Sequence, residues 1–293
     1  MDDAIRKAEA LIEALTYIRT FRDRLTVVKL GGSAIEDPVA LESTLQDVVF
    51  LETAGMRPIL IHGGGKSIDR AMAREGLKPK KILGRRYTDQ ATLDIVVRVL
   101  LHEINAGIVA EIRHLGSRAV ALHSGSQQAL FGERLTLPDP EGRPVDLGHV
   151  GRVTHVDTGL IEDFCAGRVV PVIPSVALDA GGGWLNINAD TVAAAVAGRL
   201  KAEKLVFLSD TPGVLLDRRD PHSLQPSLDA ARCRQLIADG IIEEGMIPKV
   251  EACLDSLRAG VKKTHMIDGR LRHSLLLEIY TARGVGTEII LGQ

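Results

Sequence analysis

Apolar residues recur at three- and four-residue steps through the first segment, at Ile5, Ala8, Leu11, Ile12, Leu15, Ile18 and Phe21. Arg6, Lys7, Glu9 and Glu13 fall mostly off that stripe, so the spacing predicts an amphipathic helix over residues 4–22. This helix precedes the first strand and has no obvious sheet of its own to cover. Its apolar face packs either on the body of the same chain or on another subunit. Leu25–Leu30 is short and β-branched and ends in Gly31-Gly32-Ser33, which predicts a buried strand running into a glycine turn. A helix is expected over 38–53, with Pro38 in its first turn. Arg57–His62 repeats the strand pattern, ends in Gly63-Gly64-Gly65, and hands over to a helix from about Lys66. Strand, glycine turn and helix, twice over, predict a parallel sheet covered by helices.

The alternation continues. A long helix is expected over 90–115 and short strands over 119–122 and 169–173. Between them, residues 130–157 carry Pro138, Pro140, Pro144 and several glycines, the texture of β-hairpins and loops at a sheet edge. Further helices are expected over 189–200, 228–239, 246–259 and 273–280, with strands over 204–208, 264–267 and 288–291. The expected fold class is therefore α/β, an open and mainly parallel sheet sandwiched between helices, with an extra N-terminal helix. The glycines at 181–183 mark a boundary, giving segments 1–24, 25–182 and 183–293, with a single sheet shared by both large segments left open.

Composition narrows the function. Over 293 residues, 36 Lys+Arg stand against 38 Asp+Glu, a net charge of −2 that argues against a basic nucleic-acid surface. Aromatics are only 3%, so platforms for stacking bases are scarce. Cys165, Cys233 and Cys253 share no CxxC spacing, which fits a reducing compartment and buried thiols. No apolar run reaches the roughly 18 residues of a membrane span. Asp2, Asp3 and the charges after them do not read as a secretion signal. A cytoplasmic protein with no membrane or nucleic-acid partner is expected.

Glycine turns at strand ends are where α/β sheets bind ligands. Gly31-Gly32 and Gly63-Gly64-Gly65 are two such turns, and facing backbone amides would cradle a phosphoryl group. Each is, alone, also an ordinary tight turn. Two familiar phosphate motifs fail: a P-loop ending at Gly65-Lys66-Ser67 would need glycine where Leu60 stands, and GxGxxG would need glycine where Ile68 stands. Lys29 lies inside an apolar strand just before a glycine turn, so its ammonium either snorkels to the surface or serves charge at the strand end. Lys249 opens a helix after Gly245. Asn188 and Asp190 precede an apolar helix and either one would cap it. Asp210 begins a turn after a strand.

The ordered series Val28–Ser33, His62–Gly65, Asn188-Ala189-Asp190, Ser209-Asp210 and Gly245–Lys249 resembles the amino acid kinase family, from about residue 25 to the C-terminus. Gly84–Asp89, Val145–Gly151 and Leu185–Asp190 resemble its branch acting on N-acetyl-L-glutamate. The resemblance implies ATP-dependent phosphorylation of that compound's side-chain carboxylate in arginine synthesis, with Mg2+ carried by the nucleotide phosphates and no protein metal site. It implies Lys29 and Lys249 on either side of the transferring group, with Asp190 holding both. It places Gly31, Gly32 and Gly64 at the phosphoryl, and Gly64, Gly65, Arg86 and Asn186 at the acceptor. Ser209, Asp210, Gly213, Leu215, Gly245 and Met246 would line the ATP site. Segment 25–182 would bind the acceptor and 183–293 the nucleotide.

The N-terminal helix resembles the arginine-inhibited members, whose helices interlace dimers into a hexamer, a trimer of dimers. Tyr17, His265, Glu278 and Gly284 would then form an arginine pocket, with Glu278 on the guanidinium. Three departures stand out: Arg85-Arg86-Tyr87 where Leu-Arg-Val is usual, no Asp-Gly in Ser124–Gln128, and Pro248. The first leaves the acceptor arginine open to a shift by one, with strand alternation favouring Arg86. Two other readings stand beside this one. One is a family member with another acceptor (carrier-bound aminoadipate, an amino acid, carbamate or UMP). The other is a non-catalytic arginine sensor, against which the joint presence of Lys29, Lys249, Asp190 and Asp210 argues.

Overall fold

The computed structural model describes residues 1–123, 127–243, 245–281 and 283–292. Helix α1 (Asp2–Phe21) leads into β1 (Leu25–Leu30), the short α2 (Gly32–Glu36), α3 (Pro38–Thr53), β2 (Arg57–His62) and α4 (Gly65–Arg74). A small hairpin, β3 (Lys81–Ile82) and β4 (Arg85–Arg86), precedes α5 (Gln90–Val97). A π-helical stretch, Arg98–Asn105, carries α5 into α6 (Ala106–His114), and β5 (Ala119–Ala121) follows. Next come β6 (Leu130–Arg134), β7 (Leu137–Pro138), β8 (Pro144–Val145), β9 (Gly151–Val156), α7 (Thr158–Ala166), β10 (Val170–Pro174), β11 (Val176–Leu178) and β12 (Trp184–Asn186). The remainder is α8 (Ala189–Arg199), β13 (Lys204–Ser209), β14 (Ser227–Asp229), α9 (Ala230–Ala238), α10 (Ile247–Arg258), β15 (Lys263–Asp268), α11 (Ser274–Ile279) and β16 (Thr287–Ile290).

Eight strands form one sheet in the order β14-β16-β15-β13-β1-β2-β10-β5. Its pairs are parallel except β15 with β16. A second sheet runs β12-β11-β6-β9, and its buried Leu130, Val156, Ala177 and Leu185 join one core cluster with Val192 and Ala193 of α8. The main sheet is buried on both faces, as covered parallel sheets are. Val27, Ile59, Ile61 and Phe207 face α8 and α10, and Val28, Leu60 and Val206 pack on the other side with Leu45 and Val48 of α3. From β1 the chain builds outward through β2 on one side and, later, through β13 on the other. The carboxyl ends of β1, β2 and β13 therefore frame a switch-point crevice, the place where open α/β sheets hold ligands.

Expected and observed elements differ at a few points. The 90–115 stripe forms three helical stretches, because the π turn interrupts the α-helical ladder at Arg98–Asn105. The 228–239 segment begins as strand β14, which pairs with β16, before α9 starts. The three-residue strands β11 and β12 were not anticipated, being too short to show alternation. The apolar face of α1 packs on the body of the chain only in part. Tyr17, Ile18 and Phe21 pack on the body, while Leu11 and Ile12 are each 69% exposed. Among the described residues no helix is long and apolar enough to cross a membrane.

Candidate functional site

A cavity of about 250 Å³ opens at the switch point. Lys29, the penultimate residue of β1, reaches it, and its Nζ lies 2.9 Å from Asp190 Oδ1. The two side chains are only 10% and 11% exposed. Asp190 Oδ1 accepts no aligned hydrogen bond, so the contact is chiefly ionic. The capping question resolves in favour of Asn188. Its Oδ1 accepts from the Asp190 and Thr191 amides at 2.9 and 3.1 Å, which leaves the Asp190 carboxylate for the lysine. Asp190 also lies in the first turn of α8, where the helix dipole favours negative charge.

The glycines divide by what surrounds them. A Cβ on Gly32 or Gly65 would meet nothing within 4 Å, so these two open onto the cavity. Gly64 lines it too, but is glycine for a packing reason: a Cβ would come within 2.5 Å of Ile104 Cδ1. Gly31 stands behind the wall, where a Cβ would lie 2.2 Å from the Leu208 carbonyl oxygen. Its amide-bearing turn is set by the close approach of β1 to β13.

Across the cavity stand Arg86 and Asn186. Arg86 Nη1 contacts Asp69 Oδ1 at 2.5 Å and Nη2 donates to the Gly65 carbonyl at 3.2 Å. Asn186 Nδ2 donates to Thr88 Oγ1 at 3.1 Å, and Thr88 Oγ1 donates onward to the Arg86 carbonyl at 2.9 Å. The 145–151 run builds this wall from behind. Thr88 donates its amide to the Leu147 carbonyl, and the His149 amide donates to the Thr88 carbonyl at 2.7 Å. Arg85 also lines the cavity, so both arginines of the departure from Leu-Arg-Val reach it.

A second cavity, about 290 Å³, is lined by Asp210, Gly245, Met246 and Lys249 of the expected set. Lys249 Nζ lies 3.5 Å from the Gly245 carbonyl oxygen. Among the described residues the ion pair of Asp190 is with Lys29, and the structure does not bring Lys249 to it. Ser209, Gly213 and Leu215 shape the adjoining turn and do not reach the wall. Ser209 Oγ donates to the Thr211 carbonyl at 3.0 Å, and Leu215 pairs with Leu224. Gly213 has φ +142°, and a Cβ there would lie 2.4 Å from Thr287 Oγ1. Thr211, Arg218, Ile241 and Glu243 line this cavity and were missed, Arg218 being ion-paired to Glu243. Pro248 occupies the first turn of α10, where the missing N–H is not needed. The Ser124–Ser126 part of the second departure lies outside the described residues.

A third cavity, about 400 Å³, gathers Tyr17, His265, Glu278 and Gly284 on one wall set with Lys204. Glu278 Oε1 accepts from His265 Nδ1 at 2.7 Å, and Oε2 accepts from the Val285 and Gly286 amides at 2.7 and 3.0 Å. Burial alone would raise the Glu278 carboxyl. The His265 bond and charge and the two amides outweigh it and hold the group below the ordinary carboxylate range. Burial draws His265 down from its ordinary value, while the bond to Glu278 pulls it back up. Burial, then the Lys263 charge, lowers Lys204, whose Nζ lies 3.4 Å from His265 Nε2. Gly284 has φ +62°, and a Cβ there would lie 2.6 Å from Glu278 Oε2.

Sequence comparison decides the family. The model described as "Amino acid kinase family" matches residues 24–268. The chain belongs to the amino acid kinase family. It is 42% identical over 287 residues to the acetylglutamate kinase of Methanosphaera stadtmanae, covering 96% of each chain. It is 43% identical over 292 residues to that of Moorella thermoacetica, covering 98% of each. Its fold matches N-acetylglutamate synthase from Neisseria gonorrhoeae with a TM-score of 0.87 at 24% identity. That match covers 98% of this chain but spans only 64% of the synthase. It also matches smu.665 of Streptococcus mutans with a TM-score of 0.76 at 28% identity, covering 92% and 99% of the two chains.

As a member of the amino acid kinase family, the chain has the expected α/β sandwich. The second cavity carries carboxylates at Asp210 and Glu243, the latter engaged with Arg218. The described residues hold no cluster of three or more His, Cys, Asp or Glu set to bind a metal. The Asp210 carboxylate is an oxygen donor of the kind that a magnesium ion arriving on nucleotide phosphates would take.

Proposed function

We propose that this chain transfers the γ-phosphoryl group of ATP to the side-chain carboxylate of N-acetyl-L-glutamate, the step that activates it for arginine synthesis. The observation that carries the reading is the buried Lys29–Asp190 pair, flanked by the open glycines Gly32 and Gly65 and faced by Arg86 and Asn186. Whole-length likeness to acetylglutamate kinases supports the choice of acceptor. An acceptor carboxylate is already ionised at neutral pH, so no general base is required. Its oxygen attacks the γ-phosphorus, the bond to the bridging oxygen breaks, and that electron pair leaves on ADP. Catalysis then reduces to alignment and neutralisation of charge on the equatorial oxygens.

In this mechanism Lys29 neutralises the transferring group from the acceptor side, oriented by Asp190. Lys249 does so from the nucleotide side, and Gly32 and Gly64 amides hold the equatorial oxygens. Arg86 and Asn186 hold the acetylated amino acid, Arg86 at its α-carboxylate. Asp210, Gly245 and Met246 form the nucleotide wall, behind which Ser209, Gly213 and Leu215 fix the turn. Asp210 would stand beside a magnesium ion carried on the nucleotide phosphates, and that ion would neutralise phosphate charge. Segment 25–182 holds most of the acceptor, with Asn186 and Asp190 reaching in from segment 183–293, which holds ATP.

The third cavity is a site for arginine as inhibitor. Glu278 takes the guanidinium, with Tyr17, His265 and the turn at Gly284 around it. The exposed Leu11 and Ile12 of α1 support a helix that interlaces subunits into a hexamer. The protein works in the cytoplasm. The test is ADP release by purified protein, expected only when N-acetyl-L-glutamate is added with ATP. Equal turnover with L-glutamate, carbamate or UMP would refute the acceptor. Arginine binding with no turnover at all would favour a sensor.

A further inference from the structure

His62 ends β2 and is completely buried, one residue before the glycine turn. Its Nδ1 lies 3.1 Å from the Gly63 carbonyl oxygen and its Nε2 lies 3.0 Å from Asn105 Nδ2. The same Nδ2 lies 3.1 Å from the Val172 carbonyl oxygen of β10. These contacts fix the protons. A carbonyl only accepts, so Nδ1 carries the hydrogen that faces Gly63. The neutral ring then accepts at Nε2, and the Asn105 amide donates both there and to Val172. Turning that amide over would set its oxygen against the Val172 oxygen and the ring lone pair. One orientation therefore holds, even though Asn105 Oδ1 has no partner among the described residues.

Asn105 is itself fully buried and ends the π-helical stretch. Such turns recur at functional sites, because the extra residue re-aims side chains. The same stretch packs Leu100 and Ile104 directly on Gly64. No peptide bond among the described residues is cis. Across a planar trans peptide the carbonyl and the following amide point in opposite directions. A ring that holds the Gly63 carbonyl therefore turns the Gly64 N–H away from itself, and Gly64 is on the wall of the first cavity.

We propose that His62 and Asn105 are positioning residues. Asn105 selects the Nδ1–H form of His62, and His62 holds the Gly63–Gly64 peptide so that its amide faces the transferring phosphoryl group. The inference rests on the phosphoryl-transfer reading above and deepens it.

The test uses the full chain. His62→Leu removes the donor, His62→Asn keeps an N–H at the same branch, and Asn105→Leu removes the group that selects the tautomer. With N-acetyl-L-glutamate and ATP, His62→Leu and Asn105→Leu lower kcat by roughly tenfold or more, with both KM values within about threefold, and His62→Asn recovers most of kcat. A His62→Leu enzyme that keeps its kcat, or a His62→Asn enzyme as slow as His62→Leu, overturns the inference. Ring 15N chemical shifts of the wild type give a readout free of activity. The Nδ1–H form is expected, with loss of that preference in Asn105→Leu, and an Nε2–H ring overturns the inference. A wild type without turnover would count against the proposed function, and the tautomer measurement would then decide this inference alone. Should a leucine variant fail to fold, His62→Asn and the wild-type spectrum still decide it.

Discussion

Asp190→Asn removes one charge and almost no volume, so it isolates what the ion pair does. The partners lie 2.9 Å apart with side chains 10% and 11% exposed. At an effective dielectric near 20 the gross attraction is about 6 kcal/mol, and desolvation of both groups offsets most of it. The variant, however, keeps the Lys29 ammonium nearly buried with no counter-charge, which costs about 3–5 kcal/mol. Urea unfolding should show that loss. Lys29→Met combined with Asp190→Asn should recover most of the stability, because neither charge is left alone. Activity should not recover: Asp190→Asn lowers kcat roughly a hundredfold, and the double variant stays at least as slow. ATP should raise the melting temperature of Asp190→Asn more than that of the wild type, since its phosphates supply the missing negative charge. A single variant within about 1 kcal/mol of wild type, with kcat within a few-fold, would refute the reasoning.

Four further outcomes are expected. Lys249→Ala lowers kcat by roughly a hundredfold with the fold intact, measured by ADP release and circular dichroism, and a variant near full activity would remove Lys249 from the mechanism. Arginine inhibits the wild type, Glu278→Gln relieves the inhibition, and deletion of residues 1–22 yields dimers. Inhibition persisting in Glu278→Gln, or a truncated hexamer in sedimentation, would overturn those assignments. Acid weakens the fold through His62, whose pKa burial lowers from 6.5 to about 4, with the His123 charge acting in the same direction. The unfolded chain then binds the proton more readily, so this contribution falls away as pH drops from 6.5 toward 4 and changes little below, amounting to roughly 3 kcal/mol. Unfolding curves in which His62→Asn shows the same slope over that window would contradict it.

What the sequence revealed of the site was local chemistry. Lys29, the two glycine turns and Asp190 stood out because a lysine inside an apolar strand, or adjacent glycines at its end, conflicts with the surrounding pattern. The partner of Asp190 was not legible in the same way. Nothing in spacing distinguishes a carboxylate aimed at Lys29 from one shared with Lys249, and β1 and α8 meet only in the folded sheet. Asp69 sits within α4, and nothing in its spacing marks Arg86 as its partner. Lys204 opens β13, and nothing in that strand's apolar pattern marks its burial at the third cavity. Arg218 and Glu243 lie in charged loops with no periodicity to mark them. The π turn is set by what Leu100, Ile104 and Asn105 pack against, which a helical stripe does not encode.

In the proposed reaction Lys29 and Lys249, rooted in different cavities, converge on one phosphoryl group. The most direct measurement is a crystal structure of the protein with ADP, a planar phosphoryl mimic and N-acetyl-L-glutamate. Both ammonium groups should then lie about 3 Å from the mimic's equatorial atoms, on opposite sides of the group. A complex in which Lys249 remains turned to the Gly245 carbonyl, or Lys29 stays out of contact with the mimic, would contradict the account.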